Sequence, residues 1–390
     1  MSSPNALDGV RVLDLTRLLP GPFASLVLAD LGATVDKVED PGGGDYLRHM
    51  PPQIGDANAA YQLLNRSKRS IVIDLKKDEG RLALLDALAS YDVLFEQFRP
   101  GVLGRLGLGY DVLRARYPRL VICALTGYGQ TGPLALRAGH DLNYLARSGI
   151  LGAHGPSGGA PQVPGFQVAD ISGALWSVVG ILAALAKREK TGKGEIVDIA
   201  MSEGTIPFSS FSFGAAMAGA PATRGGETLT GGIAPYATYV TKCGGAVALA
   251  ALEPKFWSAF CGHIGREPAM SDLIPGQHQV AVQAELTALF LEKSRDDWAA
   301  WSEGKDCLLE PVLTPDEATR DTHLRERGVF FEIDTPQGPL PQFRTPVTPR
   351  DCTFTAPVGA GHHTREVLVE AGIEAERVDQ LIATKVAVQS

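Results

Sequence analysis

The chain has 390 residues, 45% of them apolar and 21% charged, with a formal net charge of −8. That length and apolar content allow one large core or two modest ones, with about two domains expected, and the acidic balance argues against a general nucleic-acid binder. Five scattered cysteines with no CxxC pair and eight histidines without ligand spacing argue against a disulfide framework and against a metal site, as in a reduced cytoplasmic protein. The start, MSSPNALDGV, lacks a basic stretch followed by an apolar one, so no secretion signal is expected. The longest apolar run, ISGALWSVVGILAALA at 171–186, is shorter than the ~20 residues of a membrane span and predicts a buried helix.

In chain order, VRVLDLT (10–16) predicts a strand, followed by the turn LLPGP and a helix over 22–32 that Gly32 closes. ATVDKVE (33–39) and SIVIDLK (70–76) predict two more strands, and EGRLALLDALASY (79–91) a helix with apolar residues at i, i+3 and i+4. DVLFEQF (92–98) and RLVICALTGYG (119–129) continue the alternation. This pattern predicts an α/β fold with a Rossmann-like parallel sheet covered by helices. No G-x-G-x-x-G follows the first strand, so the nicotinamide fingerprint is missing from the place its mechanics require. Helices are expected to start at 141 and 170, and EIVDIAM (195–201) to form a further strand. Residues 203–232 are small and Gly/Ser-rich and predict a crossover linker. The large domain is therefore expected over 1–202, a smaller α+β domain over 233–330, and a return segment over 331–390. Within the smaller domain, strands are expected at 236–242 and 245–252, followed by three helices.

Three places put a titratable side chain where chemistry is possible. In RAGHDLNYLARSG, Asp141 reads as the cap of the following helix. His140 reads either as a loop histidine or as a base kept neutral by the helix N-terminus. Free N–H groups of that first turn suit a developing oxyanion. Asp170 stands where VPGFQVA meets the next helix, again a cap by position, with burial and the helix dipole pulling its pKa in opposite directions. Glu253 projects from the end of an apolar strand in ALAALEPKFW, as either a solvated carboxylate or a functional one. A basic group at Arg66, Lys68, Arg69 and Arg99 reads as a solvated face or as a site for a ligand with several phosphates.

Several stretches together resemble the α-methylacyl-CoA racemases, within the family III CoA-transferases of CaiB/BaiF type. They include LDLTRLLPGPFASLVLADLGATVDKVEDPG, KRSIVIDLK, DVLFEQFRPGV, LTGYGQTGP, AGHDLNYLARSGIL, KTGKGEIVDIAM, YATY and ALEPKFW, and cover most of residues 8–260. The resemblance implies a racemase or epimerase of 2-methyl-branched acyl-CoA thioesters. His140 and Asp170 would be its two bases, Glu253 would support the histidine, and the Asp141 backbone would bind the thioester oxygen. Tyr144 and Arg99 would line the CoA site. No separate cofactor is implied, since CoA is part of the substrate; the expected partner is a second copy in an interlocked homodimer, with no nucleic acid and no membrane. The alternative within the family is CoA transfer between carboxylic acids through an aspartyl intermediate at Asp170. The sequence departs from the family at Asp40, where a basic residue often precedes the proline beside the CoA adenine.

Overall fold

In the computed structural model, which describes residues 5–390, the alternating strands build a single large sheet. Strands β1 (Arg11–Asp14), β2 (Thr34–Glu39), β3 (Lys68–Ile73), β4 (Val93–Glu96), β5 (Val121–Thr126) and β6 (Ile196–Ala200) are mutually parallel, in the order β3-β2-β1-β4-β5-β6. A seventh strand, Ala387–Val388, pairs antiparallel with β3, so the sheet is mixed where the sequence predicted a parallel one. The return segment produces this difference by covering the outer edge of β3. Strands β4 and β5 are buried along their whole length, which explains why both read as continuous apolar runs without alternation.

The helices beside this sheet include α1 (Pro20–Asp30), α2 (Asp78–Ala87), α3 (Asp141–Ser148) and α4 (Val168–Thr191). Helix α1 opens on Pro-Gly-Pro, where a missing N–H costs nothing because first-turn donors have no partner inside the helix. Helix α4 extends beyond the apolar run on both sides and ends at Gly192, whose φ of 71° supplies the left-handed stop. By length and hydropathy α4 would suffice to cross a membrane. It packs instead against α1, α3, β5 and β6.

The chain divides into two compact units. The first holds the segment ending at Ser148, Phe166–Thr205 and Thr322–Ser390; the second holds Gly149–Gly165 and Ile206–Asp321. These bounds differ from the expected ones in three places. Gly149–Gly165, expected in the large domain, belongs to the second unit. Most of the expected linker is built into the second unit, with a helix at Ser210–Met217 and 3-10 turns at Ile206–Ser209 and Thr228–Thr230. The return to the first unit begins at Thr322. There, helices Thr364–Glu370 and Ala375–Ala383 insert Val367, Leu368, Val378 and Leu381 into the core that also contains Leu13, Leu94 and Ile122.

In the second unit, Tyr236–Val240, Ala246–Ala250 and Leu309–Pro311 form an antiparallel sheet with Ala246–Ala250 in the centre. Its core is aromatic: Trp257 stacks on Phe260 at 5.7 Å, and Phe290 meets Trp298 edge-on at 5.0 Å.

Candidate active site

The strand order reverses between β1 and β4, which leaves a crevice beyond the carboxyl ends of the strands. A cavity of about 640 Å³ lies there, within the first unit. Arg17 and Leu18 wall it after β1, Gln97 and Arg99 after β4, and Gly127 after β5. His140 just before α3, Asn143 and Tyr144 from α3, and Asp170 from α4 also line it. A second cavity of about 280 Å³ shares Arg17, Phe98 and Val102 with the first and extends over the ends of β2 and β3. Its walls are largely apolar, with Val38, Ile73, Leu75 and Leu106 among them. Asp40 lines it too, and the Lys76 ammonium lies 3.6 Å from the Asp40 carboxylate. The cavity thus has a cation beside Asp40.

His140 immediately precedes α3. Its carbonyl accepts from the N–H groups of Asn143 (2.8 Å) and Tyr144 (3.2 Å), and its own N–H donates to Asn143 Oδ1 at 3.1 Å. This is half of a capping box turned to hold the residue before the helix. The imidazole side chain is exposed and has no hydrogen-bond partner among the described residues. Within the same residues, the Asp141 and Leu142 N–H groups also lack acceptors, so the first turn offers two free donors.

Asp141 was expected to cap its own helix. It is instead the first residue of α3, and its carboxylate reaches the other helix: Oδ1 accepts from Ala169 N–H at 2.6 Å and Asp170 N–H at 3.1 Å. Asp170, expected at a cap position, lies inside the first turn of α4. Among the described residues its carboxylate accepts no hydrogen bond, and its pKa is pushed up to about 7. Burial is the main cause and the neighbouring Asp141 charge the second.

Tyr144 is buried against two glycines. A Cβ on Gly127 would stand 2.3 Å from the ring and one on Gly139 2.7 Å, so the close approach requires glycine at both positions. The hydroxyl donates to Gly139 O at 2.5 Å, and Tyr128 packs edge-on at 5.2 Å. Burial pushes the Tyr144 phenol up to about 12.

The basic group read from the sequence is divided by the structure. Arg99 lines the cavity and has no ion-pair partner among the described residues. Arg66, Lys68 and Arg69 are committed elsewhere, which corrects the expectation of a phosphate-facing cluster. Arg66 is buried with Asp30 at 2.5 Å and surrounded by the rings of Phe331, Phe343 and Phe354. Lys68 is buried, donating to Pro22 O and Asn65 Oδ1, and desolvation pushes its pKa down to about 7. Arg69 holds Asp36 at 2.6 Å and Glu370 at 2.6 Å. Two cavity cations were missed, Arg17 and Arg137, and both lack an ion-pair partner among the described residues. Arg17 was detectable from its place directly after β1, at the carboxyl end of a central strand.

Glu253 belongs to the second unit. It is exposed just before the helix Pro254–Ile264, and its carbonyl accepts from Phe256 and Trp257 N–H groups at 3.0 Å. No group of three or more His, Cys, Asp or Glu side chains among the described residues is placed to hold a metal ion.

Comparison with known proteins adds the following. The sequence profile described as CoA-transferase family III matches residues 7–364. Human alpha-methylacyl-CoA racemase is 37% identical over 391 residues, covering 98% of this chain and 97% of that protein. Human succinyl-CoA:glutarate CoA-transferase is 38% identical over 343 residues, covering 86% and 78% respectively. The crystal structure of a CAIB/BAIF family protein from Brucella suis superposes with a TM-score of 0.81 at 32% identity, covering 95% of this chain and all of that one.

Proposed function

This chain belongs to CoA-transferase family III, and from that premise we propose that it is a racemase or epimerase of 2-methyl-branched acyl-CoA thioesters. Membership makes a CoA thioester the substrate class. The observation that carries the finer reading is the pairing of His140 with Asp170 on one cavity, the latter with a pKa near 7. A general acid or base works best with a pKa near the operating pH, whereas a transfer through an acyl-aspartyl anhydride has no use for the histidine.

In the proposed cycle the neutral His140 imidazole removes the C2 proton, and the electron pair moves into the thioester to give an enolate. The free N–H groups of Asp141 and Leu142 bind the enolate oxygen. Asp170, protonated, then returns a proton to the opposite face, leaving imidazolium and carboxylate. The reverse direction starts from those protonation states. An interlocked homodimer is the assembly this proposal carries. The smaller, apolar cavity takes the adenine ring and the larger one the pantetheine thioester, with Arg17 and Arg99 beside the diphosphate.

A second reading is CoA transfer between carboxylic acids through Asp170 as nucleophile. The family III profile and the 38% identity to a human CoA-transferase over 86% of this chain favour it.

One experiment separates the two. Each enantiomer of a 2-methylacyl-CoA is incubated with the protein in D₂O, with and without a free carboxylate acceptor. Deuterium entering C2 without acceptor is the expected result. Acceptor-dependent thioester exchange with C2 left unlabelled would overturn the racemase in favour of the transferase. His140→Ala should lose exchange from one enantiomer far more than from the other, by ~10²-fold or more. Equal loss from both would remove the two-base assignment.

A further inference from the structure

We infer that the Asp141 side chain is the positioning residue of this site, acting as a borrowed N-cap for α4 and thereby fixing both the place and the electrostatic surroundings of Asp170. The inference rests on the reading of Asp170 as a proton-carrying group.

An α-helix begins with backbone N–H groups that have no partner inside the helix, and a Ser, Thr, Asp or Asn at the cap position usually accepts from them. Helix α4 lacks that device. Its cap position holds Gln167, whose side chain makes no capping hydrogen bond. The acceptor comes from a residue 28 positions earlier: Asp141 Oδ1 takes the Ala169 N–H at 2.6 Å and the Asp170 N–H at 3.1 Å. The first turn of α3 is thus tied to the first turn of α4, next to His140 and through Asp170, both of which line the cavity.

The same contact has a chemical consequence. A carboxylate in the first turn of a helix ordinarily gains from the helix dipole and from nearby N–H donors, which keep it ionised. Here Asp141 has taken two of those donors and set its own negative charge beside Asp170. Asp170 is left half-buried, next to a like charge and without a hydrogen-bond donor, conditions that favour its protonated form. The other charged or titratable groups lining the same cavity are Tyr144 from α3, His140 just before it, and Arg17, Tyr46, Arg99 and Arg137 from the remaining walls. Asp141 is therefore a positioning residue through its side chain, separately from any role of its backbone N–H.

Infrared difference titration tests this without turnover. The spectrum of Asp170→Asn is subtracted from that of the full-length protein, so the carboxylic-acid band of Asp170 is followed against pH. Asp141→Asn keeps an oxygen acceptor and removes the charge; in it the Asp170 band should titrate roughly one pH unit or more lower. Asp141→Ser, a second uncharged variant with a shorter acceptor, should lower it as well, which keeps the test open if the first variant folds poorly. An Asp170 titration unchanged in both variants would overturn the inference. Deuterium exchange at C2 is read in parallel. Its acidic limb, measured from the enantiomer whose proton Asp170 removes, should move down with the band. A band that moves while no variant and no wild-type sample exchanges C2 would leave the inference standing and remove the racemase.

Discussion

Two groups of cations in this protein look alike in the sequence and differ in every physical respect. Arg66, Lys68 and Arg69 lie at the amino end of β3; Arg17, Arg99 and Arg137 surround the crevice. Members of the first group each have internal partners, Asp30 for Arg66, backbone and Asn65 oxygens for Lys68, and Asp36 with Glu370 for Arg69. Those of the second have no ion-pair partner among the described residues and face a cavity. The difference follows from direction along the strand. In a parallel sheet, side chains at the amino ends of strands are absorbed by packing, whereas loops at the carboxyl ends near the order reversal are left open for ligands. Proximity to a strand end carries little information until one knows which end.

The contrast can be tested most sharply at Arg66. Replacing it with alanine leaves Asp30 buried without its cation, and stability should fall by about 3–5 kcal/mol in urea denaturation. A loss as small as that of an exposed arginine would mean that the buried pair is not structural. Next in size is Arg99→Ala, which should raise KM for acyl-CoA by ten-fold or more, corresponding to a charge-assisted contact of ~1.5–3 kcal/mol. The denaturation midpoint and the kinetics on the matching pantetheine thioester should stay as in the wild type. If the pantetheine substrate suffers equally, Arg99 is not a phosphate contact.

The smallest effect concerns Lys68. Its folded pKa, near 7, lies below that of a lysine in the unfolded chain, so between these values the unfolded state holds more protons. Stability from this group must then rise with pH, by about 1 kcal/mol between pH 7 and pH 8. Lys68→Met lacks the titration and should not show that rise. Parallel pH profiles for the two proteins would place the lysine in water.

Much of the sheet was readable in advance because its strands announce themselves. VICALT is buried on both faces, and alternating helices leave few other arrangements for such runs. His140 and Asp170 were readable as candidates from their places where loops meet helices. What Asp141 does was not. A cap normally serves the helix it begins, and only the meeting of α3 and α4 in space sends its carboxylate to Ala169. The segment Ser210–Met217 was read as a linker because its residues are small; it forms a helix with no buried residue, which leaves no periodic signal to detect. The short strand Leu309–Pro311 escaped notice for lack of length. The antiparallel edge was missed because its pairing spans more than 300 positions.

That edge also dictates an order of assembly. β3 has its outer partner only once Ala387–Val388 has been synthesised, and several core residues of the same unit lie beyond Thr364. The antiparallel sheet of the second unit is complete by Pro311. On the ribosome the inserted unit can therefore close while the unit that surrounds it in sequence is still open.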